Sequence, residues 1–362
     1  MRQRNTKQTQ ATWKRTKRLA VILVTLLCLG LSGCSGLDNT EIVLTTGLSG
    51  NQLFKVGSSA CTLPEAMIYV DAYVEQYETV YGVEMWSHDF GGITFEEYVK
   101  NDVISQLATV KAITLLAEEY EVALNEEEEE QVKEAAKEYY ESLGQEERDW
   151  MKLKEKNAEA LFYDHLLAEK VYEEITKDVN TEVSDDEARV ITVQQIFLET
   201  TRAGESGQEA LSPEEKQEVY ERARDILMQI EEGREFQILA SVYHQGEEQS
   251  TVTFGRGERE QAYEDVAFAL EKDQVSPIIE TQKGYYILKC TENFNREATE
   301  ENRVTMLEKR RDTVFSQVYD EFIANEPSEF NTRLWKKVSL ENHTLEHTGE
   351  NFFTIYEKYL GE

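Results

Sequence analysis

Positive charge is scarce in this chain: 38 Lys and Arg stand against 71 Asp and Glu in 362 residues, a formal charge of -33. That deficit excludes sequence-independent nucleic-acid binding, because phosphate contacts need clustered cations. Four prolines (Pro64, Pro213, Pro277, Pro327) exclude a proline-rich stalk. Four cysteines are too few for a disulfide-stapled scaffold. No Walker lysine or full G-x-G-x-x-G accompanies Gly255 and Gly257, so they make no phosphate loop, and no Ser-His-Asp or Cys-His set has a recognisable local context. What is present is apolar content of 40%, which argues against a disordered acidic polymer, and a length that suggests two or three domains at about 100–200 residues each.

The cations are unevenly spread. Residues 1–33 hold seven of them (Arg2, Arg4, Lys7, Lys14, Arg15, Lys17, Arg18) and no acid, and an apolar run follows over 19–31, broken by Thr25 and Gly30. A basic stretch before an apolar run of this length is the pattern of a secretory signal, and falls short of the about 20 residues of a membrane-spanning helix. The run closes on Leu31-Ser32-Gly33-Cys34, which resembles the bacterial lipobox. That resemblance implies a diacylglyceryl group on the Cys34 thiol and cleavage just before it, giving a chain held on the outer face of the cytoplasmic membrane. Cleavage removes Cys28, leaving Cys61 and Cys290 as free thiols; taking the seven leader cations from 38 leaves 31 against 71 acids, or -40.

Residues 34–52 read as a Ser/Gly/Thr/Asn tether, and helical signals then dominate to about residue 185. Thr62-Leu63-Pro64-Glu65 and the pair Thr94 and Glu97 are capping patterns, and Phe95, Val99, Val103, Leu107, Val110 and Ile113 recur at amphipathic-helix spacing. Asn125 caps a helix whose glutamates 126–130 sit at its positive end, and a third helical segment is expected over about 146–178. The period changes at residues 190–198, which are β-branched and aromatic and predict a strand. A loop over 200–211, helices from Ser212 and Glu235, and strands near 275–279 and 285–290 complete a compact unit over 186–294. A helix over 295–338 returns to the helical lobe, and 339–362 read as a tail. The expected class is α+β and multidomain, a mainly helical lobe carrying an inserted α+β domain.

Several stretches of 186–294 match the parvulin-type peptidyl-prolyl isomerase family residue by residue. Phe236-Gln237-Ile238-Leu239-Ala240 resembles its DFxxLA helix, Phe254-Gly255-Arg256-Gly257 its FGRG turn and Val266-Ala267-Phe268-Ala269-Leu270 its AAFAL segment. Gly284-Tyr285-Tyr286-Ile287-Leu288-Lys289 resembles its closing strand. The surrounding plan is similar to that of PrsA-like foldase lipoproteins and the SurA chaperone. The resemblance implies a polar pocket floor on the first and last strands, where the family's two histidines fall at Gln195 and Tyr286. It further implies a proline pocket of Val252, Phe254, Tyr263 and Phe268 with Arg259 at its rim, where the family has methionine, and places the family's Cys or Asp around Gly246. Implied partners are unfolded exported polypeptides with X-Pro bonds; no cofactor or metal is implied. With both histidines replaced, two readings stay open: Gln195 and Tyr286 hydrogen-bond across the floor of a working isomerase, or the domain serves a non-catalytic holdase or scaffold. His343-Thr344-Leu345-Glu346-His347 matches a zinc-peptidase pattern but leaves no room downstream for a third ligand.

Overall fold

The computed structural model describes residues 47–48, 50–204, 207–340 and 349–361. The leader, Cys34, most of the tether and the 343–347 pattern lie outside the described residues. The class is α+β. The chain divides into two compact units, one from residues up to Asp178 together with Thr313–Glu362, the other Val179–Asp312. No helix among the described residues is long and apolar enough to cross a membrane.

The first unit opens with β1 (Gln52–Val56) turning at Gly57, in the left-handed region at φ +53, into antiparallel β2 (Ser59–Thr62). Helix α1 (Leu63–Tyr81) starts where expected, the Glu65 carboxylate accepting from the Thr62 amide at 2.8 Å. Helix α2 (Phe95–Glu119) has the Thr94–Glu97 capping box, and α3 (Glu126–Ser142) is capped by Asn125, which accepts from Glu127 and Glu128 amides at 2.9 and 3.0 Å. These bonds satisfy amides that lack a partner in the first turn. The segment expected as one helix is two, α4 (Gln145–Met151) and α5 (Glu155–Thr176). Lys152 enters the left-handed region at φ 54 and ends α4, so that Met151 and Leu153 can both turn inward. One buried cation ties three helices: Lys111 of α2 donates to Glu65 of α1 at 2.6 Å and to Asp164 of α5. Burial works against the Lys111 charge, but Asp164 and Glu65 outweigh it and hold its pKa above the usual value.

The second unit begins with α6 (Asp185–Ala188) and β3 (Ile191–Glu199). The segment 200–211 is not a plain loop: β4 (Thr201–Gly204) and β5 (Gly207–Ala210) pair antiparallel, Thr201 opposite Ala210. Helices α7 (Pro213–Glu231) and α8 (Phe236–Tyr243), strand β6 (Thr251–Phe254), helix α9 (Gln261–Ala267) and strands β7 (Ile279–Glu280) and β8 (Gly284–Glu292) follow. The four-stranded antiparallel sheet has the order β6-β3-β8-β7. Alternation along β3 sends Ile196 and Leu198 into one core with Leu239 and Ile226, while Ile191 and Val193 join Tyr263, Phe254 and Leu288 on the other face. Of the strand expected near 275–279, Val275 makes an isolated bridge to Lys289 and the ladder itself is just Ile279–Glu280; Pro277 between them has no amide to donate.

Helix α10 (Arg296–Ile323) is split between the units at residue 312. Beyond it β9 (Ser328–Phe330) pairs with β1, α11 (Thr332–Trp335) follows, and the segment read as a tail contains α12 (Phe352–Tyr359). Phe352, Ile355, Tyr356 and Leu360 are buried in the first unit's core, and Tyr356 Oη donates to Glu169 of α5 at 2.6 Å. An eight-residue amphipathic helix, about two turns, is thus a core element of the helical lobe.

Candidate functional site

Strand β3 outruns its neighbour. Strand β6 pairs with it from Ile191 to Gln194, and beyond that point residues 244–250 supply the missing partners. Gln195 N–H donates to the Ser250 carbonyl at 2.8 Å, Phe197 N–H to His244 Nδ1 at 3.2 Å, and Gln245 N–H to the Phe197 carbonyl at 2.9 Å. Main-chain groups that the short β6 leaves open are thereby met by a loop instead of a strand.

This loop delivers a charged side chain to the sheet face. Gln195 is 0% exposed, and its Nε2 donates to the Gln249 carbonyl at 2.9 Å and to Glu248 Oε2 at 3.2 Å. Its Oε1 accepts from Tyr263 Oη at 2.8 Å. Glu248 is in turn paired with Arg259, 2.6 Å from Oε1 to the guanidinium. Burial opposes the Glu248 charge, yet the hydrogen bonds from Arg259 and Gln195 and the guanidinium's field hold its carboxyl below the usual range. Arg259 is positioned by its own turn: Gly257 takes φ +82, and the buried Glu264 carboxylate accepts from the Gly257 and Arg259 amides at 3.0 and 2.7 Å.

Tyr286 lies on β8 opposite Phe197, its ring stacked on that phenylalanine at 4.6 Å and meeting Tyr263 edge-on at 5.0 Å. Burial, then the nearby Glu248 charge, pushes its phenol pKa up; burial does the same to Tyr263. The structure therefore brings Gln195, Tyr286, Tyr263, Phe254 and Arg259 into one cluster, with Val252 opposite Val193 beside them. Phe268 joins it through Phe254, ring edge to face at 5.6 Å. Its ring is also covered by two guanidiniums, Arg256 at 4.4 Å and Arg189 at 5.1 Å. The bond between Gln195 and Tyr286 that the working-isomerase reading invoked is absent among the described residues, because Gln195 spends both ends on Tyr263 and the 244–250 loop. Gly246, around which the resemblance put the family's Cys or Asp, sits at φ +86, and a Cβ there would lie 3.4 Å from the Phe197 ring.

Three contributors escaped sequence reasoning. Phe197 was legible, being two residues from Gln195 on the same strand face. His244 and Glu248 carry no such signal, since their roles depend on a loop that meets β3 some fifty residues away in sequence.

Comparison with known proteins bears on this cluster directly. Residues 196–292 match the family model Rotamase, a PPIC-type PPIASE domain. The chain is similar to the foldase protein PrsA of Caldanaerobacter subterraneus subsp. tengcongensis, 25% identical over 323 residues that cover 85% of this chain and 94% of the relative. Solved structures it resembles include a PrsA peptidylprolyl isomerase from Bacillus cereus (15% identity, 89% and 99% of the two chains, TM-score 0.33). Another is the foldase PrsA from Streptococcus pneumoniae (19% identity, 75% and 98%, TM-score 0.24). The PPIC-type segment spans β3 from Ile196 through β8 to Glu292, so it takes in Tyr263 and Tyr286 but begins one residue after Gln195.

Proposed function

We propose that this protein is an extracytoplasmic foldase, tethered through a lipidated Cys34, that holds exported unfolded chains and isomerises their X-Pro bonds. The observation that carries the reading is the PPIC-type match over 196–292, in which Tyr263, Tyr286 and Phe197 form an aromatic cluster over a hydrogen-bonded amide. Rotation about a peptide bond faces a barrier of about 18–20 kcal/mol, and lowering it requires no covalent step. It requires a surface that binds the twisted amide better than the planar one. In this reading Val252, Phe254 and Phe268 form the apolar wall against the proline ring, and the Tyr286 phenol and the Arg259 guanidinium are the polar groups offered to the amide. The lipobox resemblance at 31–34 and the likeness to a PrsA foldase support the location and the client class.

A second reading has an observation of its own. Gln195 is fully buried and both ends of its amide are engaged by protein partners, so it is withdrawn from a substrate, as in a domain that binds chains without catalysing. One assay separates the two: proline-limited refolding of a client with the full mature chain. Acceleration that is lost in Tyr286→Ala supports catalysis. Suppressed aggregation with no acceleration leaves the holdase.

A further inference from the structure

The longest stretch of the chain without Lys or Arg runs over residues 56–99, and it carries eight acids. Within it lies the largest concentration of exposed apolar side chains among the described residues: Val80 (68%), Tyr81 (67%), Val83 (46%), Phe90 (49%) and Ile93 (39%). They fall at the end of α1, in the turn after it and just before α2, and an aromatic ladder roots them in the first unit. Tyr73 stacks on Tyr77 at 6.0 Å, Tyr77 meets Phe95 at 5.1 Å, and Phe95 meets Phe90 at 5.6 Å. Tyr81 is four residues beyond Tyr77 and so continues the same helix face outward. Exposed patches of this kind mark interaction sites, because water leaves them at a gain when a partner arrives.

The surrounding charge has one sign. Glu84, Asp89 and Glu97 are exposed, and Glu75 and Glu78 half-buried. The first cation that follows, Lys100, is buried on Glu96 and the Val338 carbonyl, and so does not offset them. We infer that this patch is a docking surface for extended polypeptide segments in which Lys or Arg alternates with apolar residues. The apolar side chains bury against Val80, Val83 and Ile93, while each cation has an aromatic face at Tyr81 or Phe90 and a carboxylate nearby. The inference rests on the foldase reading for the presence of unfolded clients, and adds which of their segments the helical lobe selects.

The test is anisotropy of two labelled fifteen-residue peptides with the full mature chain at low salt, one alternating Leu or Phe with Lys, the other carrying Glu for every Lys. The Lys peptide should bind at least tenfold more tightly, with the preference shrinking in high salt. Val80→Ser with Tyr81→Ser should weaken it at least fivefold while the thermal midpoint holds, these being the two most exposed side chains of the patch. Glu84→Lys with Asp89→Lys, which leaves the apolar patch intact, should erase or invert the preference. Equal affinity for the two peptides overturns the inference, as does wild-type binding by the patch variants, or a dimer of the chain that the serine variants disperse. In each of those cases proline-limited refolding and aggregation suppression still report on the foldase reading separately.

Discussion

Tyr263 reaches across from α9 to place its phenol on the Oε1 of Gln195, 2.8 Å away, in an environment where neither side chain is more than 3% exposed. Each is thus the other's condition for burial. A buried amide oxygen without a donor costs about 1–3 kcal/mol. Tyr263→Phe, which keeps the ring and its edge-on contact with Tyr286, should destabilise the PPIC-type unit by that amount in urea unfolding. A loss below about 0.5 kcal/mol would mean that the Gln195 amide has another route to satisfaction.

The His244 tautomer follows from a donor that has no choice. A backbone amide can only donate, so the bond from Phe197 N–H fixes Nδ1 as the acceptor. The proton then sits on Nε2, 2.8 Å from the Glu248 carbonyl, and is donated there. Nitrogen-detected NMR of the imidazole at pH 8 should show the Nε2–H form. A dominant Nδ1–H form would show that the 244–250 loop does not close over β3 in this way.

The strands and the long helices were open to reading because their signals are local: β-branched alternation at 190–198, apolar spacing from Phe95 to Ile113, capping residues at Thr62, Thr94 and Asn125. Gln195 and Tyr286 were singled out by the resemblance of their strands to the parvulin family, and no local periodicity marks them. What was not legible depends on pairs far apart in the chain. Nothing near Glu248 announces that it will meet Arg259 and Gln195, and nothing at Lys152 announces a left-handed residue that cuts one helix into two. The C-terminal helix was missed because its aromatic face has no meaning until α3 and α5 are there to receive it.

That helix yields a direct test. Phe352 is 1% exposed, its ring 4.4 Å from Phe162 of α5 and edge-on to Tyr139 of α3 at 5.9 Å. Removing a buried phenylalanine costs about 3–5 kcal/mol through lost burial and the cavity left behind. Phe352→Ala should lower the unfolding midpoint of the helical lobe by that measure while leaving the transition of the PPIC-type unit in place. An unchanged lobe would show that 349–361 is dispensable trim.

Acid should expose a second feature of the same lobe. His165 of α5 is buried against Tyr69, whose Oη lies 2.5 Å from Nε2, and burial, then the Lys111 charge, pushes its pKa down from the ordinary 6.5 to about 3. Between pH 6.5 and 3 the unfolded chain takes up a proton that the folded one refuses. Stability therefore falls as the pH drops through that window and is flat, for this residue, above it. Asp164 works the other way: burial raises its carboxyl pKa, so the folded state gains a proton there first, offsetting part of the slope just above pH 3.8. His165→Gln keeps a hydrogen-bonding group near Tyr69 but cannot titrate, which isolates the histidine from Asp164. The wild type should lose on the order of 4 kcal/mol more than the glutamine variant between pH 7 and pH 3, read as diverging urea midpoints of the lobe. Parallel curves would mean that His165 takes its proton in the folded state as readily as in the unfolded one, and so is not sealed among Tyr69, Phe352 and Tyr356.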